Sequence, residues 1–201
     1  MSAENHSMSD ITGAILAGGR GMRMGGEDKG LLMLRERPLA EYVIKALKPQ
    51  VTKLIINANR NRERYAAFGY PVVTDHHDDY PGPLAGMAAA LRHAATDWVQ
   101  CVPCDTPDLP ADLVRRLSAA LADHQARIAL PFDGERIQPL FALIHRSLLP
   151  ELDADIAAGR LAVGRWMRDH PHVEVDFSDC PEAFANLNTP EELAAHQSCG
   201  D

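Results

Sequence analysis

Three stretches of this 201-residue chain hold side chains suited to the chemistry of phosphate groups and metal ions. The first is Leu16-Ala17-Gly18-Gly19-Arg20-Gly21-Met22-Arg23-Met24-Gly25-Gly26-Glu27-Asp28-Lys29-Gly30, with five glycines among the eleven residues from Gly18 to Asp28. Glycines let backbone amides approach an anion without interference from side chains. Arg20, Arg23 and Lys29 add guanidinium forks that clamp phosphate oxygens and a mobile point charge. The set favours a polyphosphate over a single carboxylate. A solvated glycine loop competes with that reading, since 16 of the 20 basic residues are Arg and any one carries little information. The position directly after an apolar run tips the balance. Two familiar phosphate loops do not fit. Lys29 is followed by Gly30, where a Walker A loop needs Ser or Thr, and the third glycine of a dinucleotide fingerprint counted from Gly19 and Gly21 falls on Met24.

The second stretch is Cys104-Asp105-Thr106-Pro107. An aspartate just past a strand, with proline forcing the chain out of regular structure, presents a hard oxygen donor of the kind Mg²⁺ shares with substrate phosphates and water. Asp105 as a cap of the turn near Pro110 has nearly equal weight on spacing alone. The third is Asp75-His76-His77-Asp78-Asp79-Tyr80-Pro81-Gly82-Pro83-Leu84-Ala85-Gly86. Neighbours along an extended chain point in opposite directions, so positions 76 to 79 read as a solvated acidic loop rather than a transition-metal cluster. Asp75 stands apart by its place immediately after an apolar strand. Asn57, and the pair Asn186 and Asn188, offer amide donors and acceptors to a base or a phosphate.

The elements that must position these groups follow from the apolar pattern. Strands are expected at Ile11 to Leu16, Leu54 to Ala58, Val72 to Thr74 and Trp98 to Pro103, with apolar runs at Ile128 to Phe132 and Leu140 to Ile144 and a strand near Val173 to Val175. Leu39, Val43 and Leu47 recur at helical spacing behind Pro38, a suitable first helical position. Alanine-rich Leu84 to Ala95 and about Asp112 to Ala122 read as further helices, and two short helical patterns follow Pro150. Thr189, Pro190 and Glu192 form a capping box that opens a last helix. Strands alternating with helices imply βαβ units, a mostly parallel sheet covered on both faces, and ligands at the carboxyl ends of the strands. Residues 10–197 read as one domain, with 1–9 a flexible tail and 198–201 a loose C-terminus.

Composition bounds the function. A chain with 46% hydrophobic and 24% charged residues has the balance of a soluble globular protein, and its net charge of -8 argues against nucleic acid or an anionic membrane as a partner. Any anionic substrate then needs a local device. Met1 to Asp10 lacks the basic and apolar regions of a signal peptide, so a cytoplasmic location is expected. Four cysteines are too few to staple a chain this long. Cys101 and Cys104 form a C-x-x-C, but with Cys180 and Cys199 elsewhere no second pair completes a zinc site. Burial on a strand is expected for both.

Taken together, the ordered pieces resemble the molybdenum cofactor guanylyltransferases of the MobA type. They are Leu16-Ala17-Gly18-Gly19 with Arg23-Met24-Gly25 and Asp28-Lys29-Gly30, Asn57-Ala58-Asn59-Arg60, Tyr80 to Gly86, Pro103-Cys104-Asp105-Thr106-Pro107, and Asn186-Leu187-Asn188-Thr189-Pro190-Glu191-Glu192-Leu193. The resemblance implies a three-layer α/β/α sandwich of the nucleotide-diphosphosugar transferase type, with a mostly parallel, Rossmann-like sheet. It implies transfer of GMP from GTP to molybdenum-molybdopterin, with Mg²⁺ as cofactor and pyrophosphate as the other product, and transient contact with molybdoenzyme apoproteins or delivery chaperones. By the same resemblance Leu16, Ala17, Gly18, Gly19, Lys29, Asn57, Asp75 and Asp105 bind the nucleotide. Lys29, Arg23 and Asp105 act in catalysis, Asp105 also holds the metal, and Asn186 and Asn188 lie toward the pterin and phosphates. Around Arg136-Ile137-Gln138-Pro139-Leu140 the chain departs from relatives that have a histidine before the proline, which leaves cofactor contact there open. A CTP-dependent or nucleotide-sugar-forming enzyme of the same fold, and a non-catalytic cofactor carrier, are the alternatives.

Overall fold

This computed structural model describes residues 10–18, 28–76, 82–122, 125–187 and 192. Along the chain, β1 (Ile11–Leu16) is followed by a small hairpin of β2 (Met33–Leu34) and β3 (Arg37–Pro38), then by α1 (Leu39–Leu47). Next come β4 (Lys53–Asn57), the short α2 (Arg62–Ala66), β5 (Val72–Val73), α3 (Pro83–His93) and β6 (Trp98–Pro103). The second half holds α4 (Leu113–Ala122), β7 (Ile128–Phe132), β8 (Leu143–His145), α5 (Leu149–Ala157), α6 (Val163–Asp169) and β9 (His172–Asp176).

Seven strands make one sheet in the order β5-β4-β1-β6-β8-β7-β9. β5, β4, β1 and β6 run parallel, as do β7 and β9, whereas β8 is antiparallel to both its neighbours. The mostly parallel sheet agrees with the expectation. The reversed strand could not be read from its apolar composition, which is the same in either direction. Its direction follows from the connection, since the segment from Asp133 to Ala142 contains only a three-residue 3₁₀ turn, Pro139–Phe141, and no helix to cross over.

Strand side chains alternate between faces, and the two faces feed two separate cores. Ile11, Ile15, Leu54, Ile56 and Val102 pack with α1 and α4, while Ala14, Ile55, Val99 and Cys101 pack with α3, α5 and α6. This is the three-layer α/β/α arrangement. α1 buries Leu39, Ala40, Val43, Ile44 and Leu47, a stripe at helical spacing. By contrast, α3 is buried from Leu84 through Leu91, so its run of small residues lets sheet and neighbouring helix approach from several sides.

Local differences have local causes. Pro38, expected inside the first turn of α1, sits just before it in extended backbone because it pairs with Met33 in the hairpin. α2 has no apolar stripe to announce it: of its five residues only Tyr65 is buried. Residues 1–9 and 198–201 lie outside the described residues, as do Thr189 and Pro190 of the expected last helix; Glu192 is helical.

Candidate active site

Parallel pairing brings four strand ends to one edge. Leu16 stands opposite Asn57 and Pro103, and Asn57 stands opposite Val73. The residues that leave these strands, Ala17 and Gly18, Ala58 and Asn59, Asp75, and Cys104 and Asp105, therefore emerge side by side. Backbone bonds continue the register past the strands: Ala17 N–H donates to Asn57 O, Ala58 N–H to Val73 O and Cys104 N–H to Leu16 O.

Around Asp75 the groups form a network of amides. Asn57 Nδ2 donates to Asp75 Oδ1 at 2.8 Å, and Asn59 Nδ2 donates to Asp75 Oδ2 at 2.7 Å. Asp75 N–H in turn donates to Asn59 Oδ1 at 2.9 Å, which closes a ring between the two residues. Asn57 is 1% exposed, so its first role is to hold Asp75 from behind. Its Oδ1 lies against α3 so closely that a Cβ at Gly86 would come within 2.5 Å of it, which makes glycine necessary there. Gly18 borders the same network. Asn59 was not singled out from sequence. The available signal was its spacing, two residues beyond Asn57 along an extended chain and so on the same side.

A second cluster forms where β6 ends. Lys29 Nζ donates to Asp105 Oδ2 at 3.1 Å, joining residues 76 positions apart. Asp105 is 6% exposed, so its carboxylate is largely withdrawn from water and the ammonium group compensates it. Asp105 O accepts from Leu187 N–H, and Thr106 Oγ1 donates to Asn186 Oδ1 at 2.9 Å, which fastens the chain at Asn186 and Leu187 to the Asp105 turn. Thr106, 1% exposed, is a positioning residue that sequence reasoning passed over. Gly19, Arg20, Arg23 and Asn188 lie outside the described residues.

Cys101 is buried on β6 as expected, whereas Cys104, expected on the strand too, is buried in the turn just past it. Cys101 packs on one face of the sheet and Cys104 on the other, so the C-x-x-C pair does not converge on an ion. Burial pushes the Cys101 thiol up to about 12 and raises Cys104 as well, the latter with help from the negative charge of Asp105. His76 is stacked with His93, and His77 lies outside the described residues. Among the described residues no three metal-capable side chains gather. The donor chemistry at Asp105 is one hard carboxylate that carries a cationic group in Lys29 Nζ. That set fits Mg²⁺, which keeps water and shares substrate phosphates, better than it fits a metal needing an all-protein cage.

The family model for the MobA-like NTP transferase domain matches residues 13–174. The chain belongs to the MobA-like NTP transferase family. It is 48% identical over 187 residues to a molybdenum cofactor guanylyltransferase of Photobacterium profundum, an alignment covering 93% of this chain and 95% of the relative. Among solved structures it resembles molybdopterin-guanine dinucleotide biosynthesis protein A of Archaeoglobus fulgidus, with a TM-score of 0.77, 21% identity and coverage of 94% and 97%. A candidate glucose-1-phosphate thymidylyltransferase of Bacillus anthracis shares the fold at a TM-score of 0.71, 13% identity and 94% coverage of both chains. This MobA-like chain is thus a nucleotidyltransferase with the nucleotide-diphosphosugar transferase fold.

Proposed function

We propose that this MobA-like enzyme transfers GMP from GTP to the terminal phosphate of molybdenum-molybdopterin, releasing pyrophosphate and forming the guanine dinucleotide cofactor. The observation that carries the reading is the Lys29–Asp105 pair at the carboxyl edge of the sheet, next to the Asp75 amide network. One cation and one hard anion side by side suit a nucleotide triphosphate arriving with its metal. The 48% identity to a named guanylyltransferase supports the same choice of substrates.

Such a reaction asks for alignment and charge neutralisation more than for covalent help from the protein. The attacking group is a phosphate monoester with a second pKa of about 6, largely dianionic at neutral pH, so no general base is needed. Lys29 would neutralise charge on the departing pyrophosphate, with Arg23 of the same loop assigned the same task. Asp105 would hold Mg²⁺, which when bound supplies a Lewis acid to the phosphate oxygens. Asp75, oriented by Asn57 and Asn59, would contact the nucleoside, while Leu16, Ala17, Gly18 and Gly19 offer backbone amides. Asn186, steadied by Thr106, would face the acceptor together with Asn188. The free Cys101, Cys104 and Cys180 accord with a reducing cytoplasmic setting, and no helix of the described residues is long and apolar enough to cross a membrane. Delivery of the product to molybdoenzyme apoproteins or their chaperones would follow.

Purified protein supplied with Mg²⁺, molybdenum-molybdopterin and each nucleoside triphosphate in turn tests the proposal. Preferential pyrophosphate release from GTP is expected. Preference for CTP would overturn the base assignment, and tight cofactor binding without any release would make the chain a carrier.

A further inference from the structure

Lys29 is flanked by Asp28 and Gly30, both of which meet Tyr65 of α2. Asp28 precedes a 3₁₀ turn, Lys29–Leu31, in the position where an aspartate commonly caps, yet its carboxylate makes no capping bond. One oxygen, Oδ1, accepts from the hydroxyl of Tyr65, and the other, Oδ2, accepts from Asn61 Nδ2 at 3.0 Å. Asn61 likewise precedes α2 without capping it, and holds a left-handed backbone at φ 50° and ψ 31°. Two residues placed to cap their own helical turns are thus joined to each other instead. Tyr65 is fully buried, and burial together with the hydrogen-bonded Asp28 carboxylate raises its pKa, keeping the hydroxyl a donor. On the other side of Lys29, a Cβ at Gly30 would lie 2.5 Å from the Tyr65 hydroxyl and 3.1 Å from Cys104, the residue before Asp105.

We propose that Tyr65 and Asn61 are positioning residues for Lys29: by gripping both oxygens of Asp28 and packing against Gly30, they fix the backbone from which the lysine reaches Asp105. α2 then has a task in the site through Tyr65. The inference rests on the proposed phosphate role of Lys29.

Inorganic pyrophosphate with Mg²⁺, titrated calorimetrically, is a probe independent of base and acceptor. Tyr65→Phe deletes only the hydroxyl, and Asn61→Gly deletes the amide while preserving the left-handed backbone. Each is expected to weaken pyrophosphate binding by about tenfold in the wild-type background and to have almost no further effect in Lys29→Ala, the signature of coupled residues. Circular dichroism checks the fold, and Asn61→Gly carries the test alone if Tyr65→Phe does not fold. Equal losses in both backgrounds would show a general structural role and overturn the inference. Unchanged binding in both single variants, with Lys29→Ala weakened, would overturn it while leaving the phosphate role intact. Unchanged binding in Lys29→Ala would remove that role, and the inference with it.

Discussion

The Lys29 ammonium and the Asp105 carboxylate stand 3.1 Å apart, so each governs what the other can bind. Replacing Asp105 with Ala deletes the carboxylate proposed to hold Mg²⁺ beside the lysine, and pyrophosphate release is expected to fall by about a hundredfold or more in steady-state assays. Lys29→Met acts in the opposite sense on the metal. With its competitor gone, the carboxylate should bind Mn²⁺ alone more tightly than in the wild type, as free Mn²⁺ measured by paramagnetic resonance would show; unchanged or weaker binding would separate the pair's two roles. The cysteines provide a residue-scale control. With Cys180 and Cys199 replaced by Ser, native protein at pH 8 should not react with an aromatic disulfide reagent until denaturant is added, because burial holds Cys101 and Cys104 as thiols.

At the scale of elements, the geometry of the Asp75 network depends on how closely α3 approaches β4. Gly86 leaves room for the Asn57 carbonyl, and the 2.5 Å separation that a Cβ would impose cannot be relieved by a flexible side-chain tip, since Asn57 is buried and bonded to Asp75. Gly86→Ala is therefore expected to destabilise the fold by about 1–3 kcal/mol in denaturant titrations and to weaken nucleotide binding at the same time. A change in stability with unaltered nucleotide affinity would show that Asn57 and Asp75 do not act through this contact. α2 makes a parallel case: a helix of five residues with one buried side chain contributes little core, yet it supplies the tyrosine that reaches Asp28.

For the whole molecule, the reversed strand β8 stitches the two parallel halves of the sheet together, and His145 lies at its end, opposite Trp98 at a ring separation of 4.8 Å. Burial lowers the His145 pKa below its ordinary value, with Asp97 opposing that shift. The unfolded chain then binds this proton more readily than the folded one, so the linked stability is present above the unfolded pKa of about 6.5 and is lost as pH falls through it. Equilibrium denaturation should give a midpoint that declines from pH 7 to pH 5, and His145→Asn should flatten part of that decline. A midpoint equally steep in the variant would assign the decline to other groups. The net charge of -8 leaves an anionic nucleotide in need of a local positive device, the part proposed for the Lys29 loop.

Local pattern was enough for what depends on neighbours in sequence. Apolar runs, their period and the glycine loop located β1, β4, β5 and β6, and the residues at or just past their ends, Gly18, Asn57, Asp75 and Asp105, could be named because parallel strands must present their carboxyl ends together. Partnership across the chain was not legible. That Asn57 faces Asp75 rather than solvent, that Asn59 joins it, that Thr106 holds Asn186 and that Tyr65 grips Asp28 all follow from sheet register and helix packing, which bring together side chains 16 to 80 positions apart. The direction of β8 belongs with these. Side-chain chemistry and the succession of elements are written in short segments, whereas strand order in the sheet and the distances between functional groups are set by how the layers close on one another, and only the folded molecule determines that.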